Sequence, residues 1–298
     1  MNFTIHQLRI FLEVARFQSI TKAAEDMYMT QPALSIQLKN FQSQFDILLF
    51  DKIGKRMHLT DFGKSIAEIA ESILREAENL TYKTKEYEGL LTGRLSISSA
   101  STGKYVIPYF LSGFINQYPG IDLTLDVSNK TLVMKSIKEN SVDFALVSVI
   151  PDQLEVNEEV LLENKLFLVG NQANFIKNSS FIYREEGSAT RGAMSKYFGN
   201  PTRRKGIELT SNEAVKQAVV AGLGYSILPL IGMRNEINAQ QLYIIPKKKL
   251  PIKTYWRLIW LKNKKLSPIA EAYLNYIRAE KENIIEKNFQ WYVDFKIK

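Results

Sequence analysis

The run Thr30-Gln31-Pro32-Ala33-Leu34-Ser35-Ile36-Gln37-Leu38-Lys39-Asn40-Phe41 decides how the N-terminal part of the chain folds. Thr30 suits a helix N-cap, where a side-chain oxygen can accept an unpaired backbone N–H. Pro32 falls in the first helical turn, which needs no intrahelical donor. From there Leu34, Leu38, Phe41 and Phe45 recur at helical spacing and make a core-facing side. The opposite side carries Pro32, Ser35, Ile36, Lys39 and Asn40, with Gln31 at its edge. The spacing predicts a helix ending near Phe45. Upstream, Ser19 can cap a short helix over 21–27, whose Ala23 and Ala24 permit close packing. Before that, Leu8, Phe11, Leu12 and Ala15 mark one buried face of a helix over about 5–17. Two short helices joined by a turn, the second polar on its outer side, read as a helix-turn-helix.

Downstream, two short strand-like pieces within Leu48–Thr60 flank Gly54-Lys55-Arg56 and predict a hairpin with a basic tip. Lys52, Lys55 and Arg56 there fit phosphate contacts, which position a protein on a duplex without reading sequence; a solvated basic turn is the plainer reading. Thr60 then caps a long helix. Its residues Ile66, Ala70, Ile73, Ala77, Leu80, Thr84, Tyr87 and Leu91 alternate in steps of four and three, a heptad. Such a helix either packs on its own domain or pairs with a second copy. Its length and its Glu-, Lys- and Arg-rich remaining faces favour pairing, with Ile66, Ile73, Leu80 and Tyr87 as the dimerisation seam.

Past Gly93 the pattern changes to short strands alternating with helices. Strands are expected over 95–99, 121–127, 143–148, 165–170, 181–183, 207–210, 225–228, 242–245 and 255–261. Helices are expected over 105–117, 131–139, 213–221 and 268–281, and 194–198 lies on another. Alternation of this kind means α/β, and the number of elements calls for two lobes. The segment 283–298, mixed basic and aromatic, has no assignment from sequence.

Length and composition bound the rest. A chain of 298 residues suggests two or three compact units. Cysteine is absent and the two histidines are His6 and His58. Thiol catalysis, zinc-thiolate sites and histidine triads are therefore not expected, nor any metal site, cofactor or catalytic residue. The N-terminus lacks the basic and apolar regions of a signal peptide, and no apolar run reaches the about 18 residues of a membrane span. A soluble, cytoplasmic protein without membrane contact is expected. The net charge of +8 is not a warrant for DNA binding: residues 234–298 hold 14 Lys/Arg against 6 Asp/Glu, whereas residues 1–90 hold 11 against 12. It is the local pattern of the N-terminal segment that points to DNA.

Thr30-Gln31-Pro32-Ala33-Leu34-Ser35, followed by Leu49-Phe50 and Leu59-Thr60, resembles the LysR-type transcription regulators, as do Phe11, Ala15, Ser19, Ala23 and Ala24 at their positions. The resemblance runs from residue 3 to about residue 280. In the C-terminal half, Ser101-Thr102-Gly103-Lys104-Tyr105 with Pro108, Arg184-Glu185-Glu186-Gly187-Ser188-Ala189-Thr190-Arg191, and Ser211-Asn212-Glu213-Ala214-Val215-Lys216-Gln217-Ala218 with Gly222-Leu223-Gly224 resemble the subgroup that regulates Calvin-cycle and inorganic-carbon genes and senses phosphorylated metabolites. The implied fold is an all-α winged helix-turn-helix over 1–60 and a linker or dimerisation helix over 61–92. A two-lobed α/β domain of the periplasmic-binding-protein type follows over 93–298, lobe I about 93–162 and 264–282, lobe II about 163–263. The implied partners are double-stranded DNA, a second copy in a homodimer or homotetramer, a small anionic effector (a phosphorylated metabolite or carboxylate) and RNA polymerase. The family usually has arginine where Ile36 and Lys52 stand, glutamate at Gln42 and glycine at Asp46, so the usual DNA contact set is altered here.

On that frame Gln31, Ser35, Lys39 and Asn40 supply donors to the major groove. Ile36 either packs on a thymine methyl or is an ordinary exposed apolar residue. For the effector, loop-to-helix junctions at Ser101-Thr102-Gly103, Ser188-Ala189-Thr190-Arg191 and Ser211-Asn212 offer N–H groups and positive dipole ends to an anion. Arg191 can add a bidentate fork. The resemblance also places Ser128-Asn129 at the cleft between lobes. Simple capping is the plainer reading of each junction taken alone. Two other functions compete: a periplasmic-type solute-binding receptor without DNA function, opposed by the helix-turn-helix, and an enzyme on the same two-lobed fold, for which no catalytic constellation is present.

Overall fold

In a computed structural model, residues 2–54, 56–87, 91–150, 154–176, 179–199 and 206–296 are described. The chain divides into two units, Met1–Gly89 and Leu90–Lys298. In the first, α1 (Ile5–Phe17), α2 (Ile20–Asp26) and α3 (Gln31–Gln42) precede a hairpin of β1 (Phe50–Ile53) and β2 (Arg56–Leu59), and α4 (Asp61–Tyr87) closes the unit. A reciprocal capping box starts α1: the Gln7 N–H donates to Thr4 Oγ1 and the Thr4 N–H to Gln7 Oε1. Ser19 caps α2, as its position suggests. Thr30 occupies the N-cap of α3 without a side-chain cap bond.

Leu34, Leu38 and Phe41 face the core with Leu8, Phe11, Ala23 and Leu49. α1 buries Ile10 and Val14 with Leu8 and Phe11, while Leu12 and Ala15 of the expected stripe are only partly buried, because α2, α3 and α4 all pack on it. α3 stops at Gln42, short of Phe45. The Gln42 amide donates to the Ile47 carbonyl at 3.0 Å and its Oε1 accepts the Leu49 N–H at 2.8 Å, so the chain turns there toward the wing. Phe45 still meets the Phe41 ring edge to face.

Thr60 Oγ1 accepts the Gly63 N–H and donates to the Leu48 carbonyl, starting α4 as expected. Gly63 is where α4 crosses the chain: a Cβ there would lie 2.0 Å from the Leu49 carbonyl oxygen. The heptad divides along α4. Ile66 and Ile73 pack on the core of their own unit beside buried Ala67 and Ala70, whereas Leu80 is 73% exposed. The side chain of Tyr87 lies outside the described residues.

The second unit holds a seven-stranded sheet. Its elements run β3 (Gly93–Ala100), α5 (Ile107–Gln117), β4 (Ile121–Ser128), α6 (Lys130–Lys138), β5 (Phe144–Val147), β6 (Val156–Gly170), β7 (Phe181–Arg184), α7 (Ala189–Phe198), β8 (Gly206–Leu209), α8 (Asn212–Val220), β9 (Ser226–Pro229), α9 (Arg234–Asn238), β10 (Tyr243–Ile244), β11 (Ile252–Leu261) and α10 (Pro268–Val293). Strand order is β10-β6-β11-β5-β3-β4, with β9 also on β6; β7 and β8 form a separate parallel pair. In lobe I, β3 lies between β4 and β5, parallel to both. In lobe II, α7 and α8 pack on β7 and β9. The antiparallel β6 and β11 run through both lobes.

Besides α9, a helix not expected from sequence, β6 and α10 depart furthest from the sequence expectation. β6 starts nine residues before Lys165, at Val156, and passes through polar Asn157 and the charged Glu158, Glu159 and Glu163, which hide the strand. Each carboxylate meets a cation on a neighbouring element: Glu158 with Arg257, Glu159 with Arg278 and Lys281, Glu163 with Lys253. α10 does not end at Lys281. It continues to Val293, and the tail left unassigned by sequence buries Ile284, Phe289 and Tyr292 in the core of the domain.

Candidate DNA-reading face and effector cleft

On α3, Gln31, Pro32, Lys39 and Asn40 are exposed, Ser35 is half-buried and Ile36 is 59% exposed. These residues share one surface because Leu34, Leu38 and Phe41 commit the other face to the core. Gln37, at the margin, accepts from the Gln7 amide at 3.1 Å and ties α3 to α1. In the wing Lys52 pairs with Met57 across the hairpin, and Lys52 and Arg56 are both exposed. The Met57 N–H donates to the Gln18 carbonyl, fixing the wing to the end of α1. Lys55 lies outside the described residues.

In the second unit the strands of lobe I end together. A 3-10 turn, Ser101–Tyr105, follows β3, Ser128 ends β4 and Ser148 follows β5. Arg184 ends β7 in lobe II. In open α/β sheets ligands sit outside these carboxyl ends. A narrow cleft there is lined by Ser101, Thr102, Asn129 and Ser148 from lobe I and by Arg184, Ser188 and Thr190 from lobe II. It continues past Thr102 and Thr190 to Asn164 and Thr254. Its polar side chains are largely buried: Thr102 is 8%, Thr190 6% and Arg184 3% exposed.

Ser101 joins the lobes. Its Oγ accepts from Arg184 Nη1 at 3.2 Å and from Asn212 Nδ2 at 3.1 Å. Arg184 also makes a two-pronged contact with Glu185, Nε and Nη2 each at 2.7 Å. Most of its charge is thereby compensated, and Nη1 is left to the cleft side. Ser188 is the N-cap of α7 but makes no side-chain cap bond. The first intrahelical bond runs from the Gly192 N–H to the Ser188 carbonyl, so the N–H groups of Ala189, Thr190 and Arg191 precede the ladder.

The remaining expected residues are placed differently. Arg191 does not line the cleft. Its Nη1 donates to the Arg184 carbonyl at 2.7 Å and pairs with Glu208, and its guanidinium lies over the Tyr183 ring. Ser128 Oγ donates to Asp126, which also takes Ser98 Oγ. Asn129 lines the cleft while capping α6 through the Leu132 N–H. Ser211 caps α8 through the Ala214 N–H and is exposed, and Asn212 stands behind Ser101. Ser188 belongs to a junction the sequence offers, but Arg184, Ser148, Asn164 and Lys130, which also lines the cleft, were not among the expected residues. Arg184 had one signal: a cation directly after Phe181-Ile182-Tyr183, at a strand's carboxyl end.

A helix-turn-helix with an exposed polar face, joined in one chain to a two-lobed receptor with a buried polar cleft, defines a ligand-responsive DNA-binding regulator. The chain belongs to the LysR family. Residues 5–64 match the bacterial regulatory helix-turn-helix protein of the lysR family, and residues 88–282 the LysR substrate binding domain. It is 32% identical over 296 residues to the HTH-type transcriptional activator CmpR of Synechocystis sp., covering 95% of this chain and 97% of that one. To a RuBisCO operon transcriptional regulator of Allochromatium vinosum it is 33% identical over 293 residues, covering 94% and 97%. These similarities place it with the Calvin-cycle and inorganic-carbon regulators, proteins that control transcription rather than catalyse. A structure of the Synechocystis CcmR regulatory domain in complex with 2-PG is similar, with TM-score 0.59 and 32% identity over 64% of this chain and 99% of that one. Among the described residues no helix is long and apolar enough to cross a membrane.

Proposed function

We propose that the cleft between the lobes binds a small phosphorylated carboxylate, and that its occupancy changes how the helix-turn-helix engages DNA. The observation carrying this reading is the set of buried hydroxyls at Thr102, Ser148, Ser188 and Thr190 around Arg184 Nη1 and the uncapped start of α7. Neutral donors, helix N–H groups and one partly compensated guanidinium suit an anion, because each gives a hydrogen bond without demanding a counter-charge when the cleft is empty. The CcmR complex with 2-PG supports the ligand class. Ser101 bridges both lobes, so a ligand taking up its hydrogen bonds would bias lobe closure, given different affinities for the open and closed forms.

On DNA, the exposed side of α3 occupies the major groove: Gln31, Ser35, Lys39 and Asn40 donate, Ile36 meets a thymine methyl, and Lys52 and Arg56 hold phosphates. The chain acts as a homodimer or homotetramer, with the distal half of α4, including Leu80, as the pairing surface. The test is a mobility shift of the DNA upstream of its own gene, with and without 2-phosphoglycolate. A retarded band whose mobility or midpoint changes with the ligand supports the reading, and retardation indifferent to it removes the effector role.

A further inference from the structure

On the far side of the Ser101–Tyr105 turn from the cleft lies a larger cavity, about 430 Å³. Thr102 of this turn lines the cleft and Lys104 and Tyr105 line the cavity, so the two are separate. One wall is apolar, made by Pro108 and Tyr109 of α5 and by Trp291 near the end of α10. The other is cationic, with Lys104, Lys216 and Arg234 against a single lining carboxylate, Glu236.

Lys216 belongs to the framework. Its ammonium contacts Glu236 at 2.7 Å and Glu213 at 3.2 Å and donates to the Gly232 carbonyl at 3.3 Å. Tyr105 reaches Glu213 from the other side at 3.2 Å, and its ring crosses Gly232 where a Cβ would meet it at 2.7 Å. This locked floor absorbs both carboxylates. Lys104 and Arg234 are different. Among the described residues neither makes an ion pair. Lys104 Nζ rides 5.1 Å over Tyr105 and the Arg234 guanidinium 4.7 Å over Trp291. Two exposed cations thus stand over aromatic rings, beside an apolar wall, with no anion to meet them. Asn235 and Asn288 add amide donors at the rim.

We infer that this cavity is a second ligand site, for a small anion whose phosphate or carboxylate lies between Lys104 and Arg234 and whose flat ring packs on Pro108, Tyr109 and Trp291. The volume is in the range that holds small organic ligands. Charge alone would hold inorganic phosphate weakly at so open a place, so the ring is required for affinity. The inference does not rest on the cleft reading.

The probe is 4-nitrophenyl phosphate, titrated into the full chain by calorimetry and by tryptophan emission. Trp291 lines the cavity, whereas Trp256 and Trp260 are buried elsewhere, so a nitrophenyl ring on the wall quenches Trp291. Saturable quenching is expected, with affinity at least tenfold weaker in a Lys104→Gln, Arg234→Gln double variant and unchanged in Thr102→Val. Both replaced residues are exposed, and a circular dichroism spectrum matching the parent shows the fold intact. Inorganic phosphate and 4-nitrophenol should each bind at least tenfold more weakly than the ester. Absence of saturable binding overturns the inference. So does binding unchanged in the double variant, and so does binding lost in Thr102→Val, which places the probe in the cleft.

Discussion

Tyr292 sits in the part of the chain that sequence reading could not place, and its hydroxyl is a sharp test of what that part does. The side chain is fully buried. Its oxygen accepts the Lys165 N–H of β6 at 2.7 Å, and the Lys165 ammonium returns to the carbonyls of Tyr292 and Val293, each at 3.1 Å. Tyr292→Phe keeps the ring and removes only the acceptor. A buried N–H left without a partner costs about 1–3 kcal/mol. For a domain of this size each kcal/mol moves the melting temperature by about 2–4 °C, so a fall of about 2–12 °C is expected. Scanning calorimetry of the full chain measures it, with the exposed Lys287→Ala as a control within about 0.5 kcal/mol of the parent. A Tyr292→Phe transition indistinguishable from that control would refute the claim that this bond holds the end of α10 onto β6.

Other expectations concern separate elements. Gly63→Ala should destabilise the N-terminal unit by about 1–3 kcal/mol, the scale of overpacking, since its Cβ meets the Leu49 carbonyl; chemical denaturation that shows no loss contradicts the close approach. Burial raises the Glu159 pKa, but hydrogen bonds from Lys281 and Arg278 outweigh it and hold the carboxylate below its usual 4.5. Its contribution is present above that value and lost as pH falls through the depressed one, so Glu159→Gln should flatten the acid limb of the stability curve, and an unchanged limb assigns acid sensitivity elsewhere. Lys52→Ala should weaken DNA binding alike on specific and random sequence and lower the salt slope by about one phosphate's share. Ile36→Ala should instead reduce discrimination at one A·T pair by about 1 kcal/mol or less, and a uniform loss on all sequences rules out the methyl contact.

The helix-turn-helix was legible because its information is local: a cap at Ser19, helical spacing at Leu34, Leu38 and Phe41, and Thr60 opening α4, whereas Thr30 holds the N-cap position of α3 without a side-chain bond and the capping box at Thr4 emerged only in the fold. The heptad was legible only in part. Periodicity shows that Ile66 and Ile73 share an apolar face but not what it meets; half-buried, they pack on the core of their own unit. β6 was obscured because Glu158, Glu159 and Glu163 answer cations on β11 and α10, contacts distant in sequence. α10 was truncated for a similar reason: Ile284, Phe289 and Tyr292 read as a tail until the domain they pack against is known. At the cleft, Thr190 was legible from its place at a helix start, whereas Ser101, Thr102 and Asn129 were put there by the family resemblance. In the sequence Arg191 stands at a helix start, a common anion site, and so outweighs Arg184. A strand's carboxyl end was the better guide, since it aims Arg184 inward while Arg191 turns to Glu208.

The most direct measurement is calorimetric titration of 2-phosphoglycolate into the full chain and its Thr102→Val variant, beside a mobility shift without ligand. Valine keeps the shape of threonine and removes one buried donor. Loss of a hydrogen bond to a charged ligand costs about 1.5–3 kcal/mol, about ten- to a hundredfold in affinity. Saturable binding by the parent is expected, weakened by that factor in Thr102→Val, with ligand-independent DNA binding retained. Equal affinity in both proteins, or no binding by either, contradicts the cleft assignment.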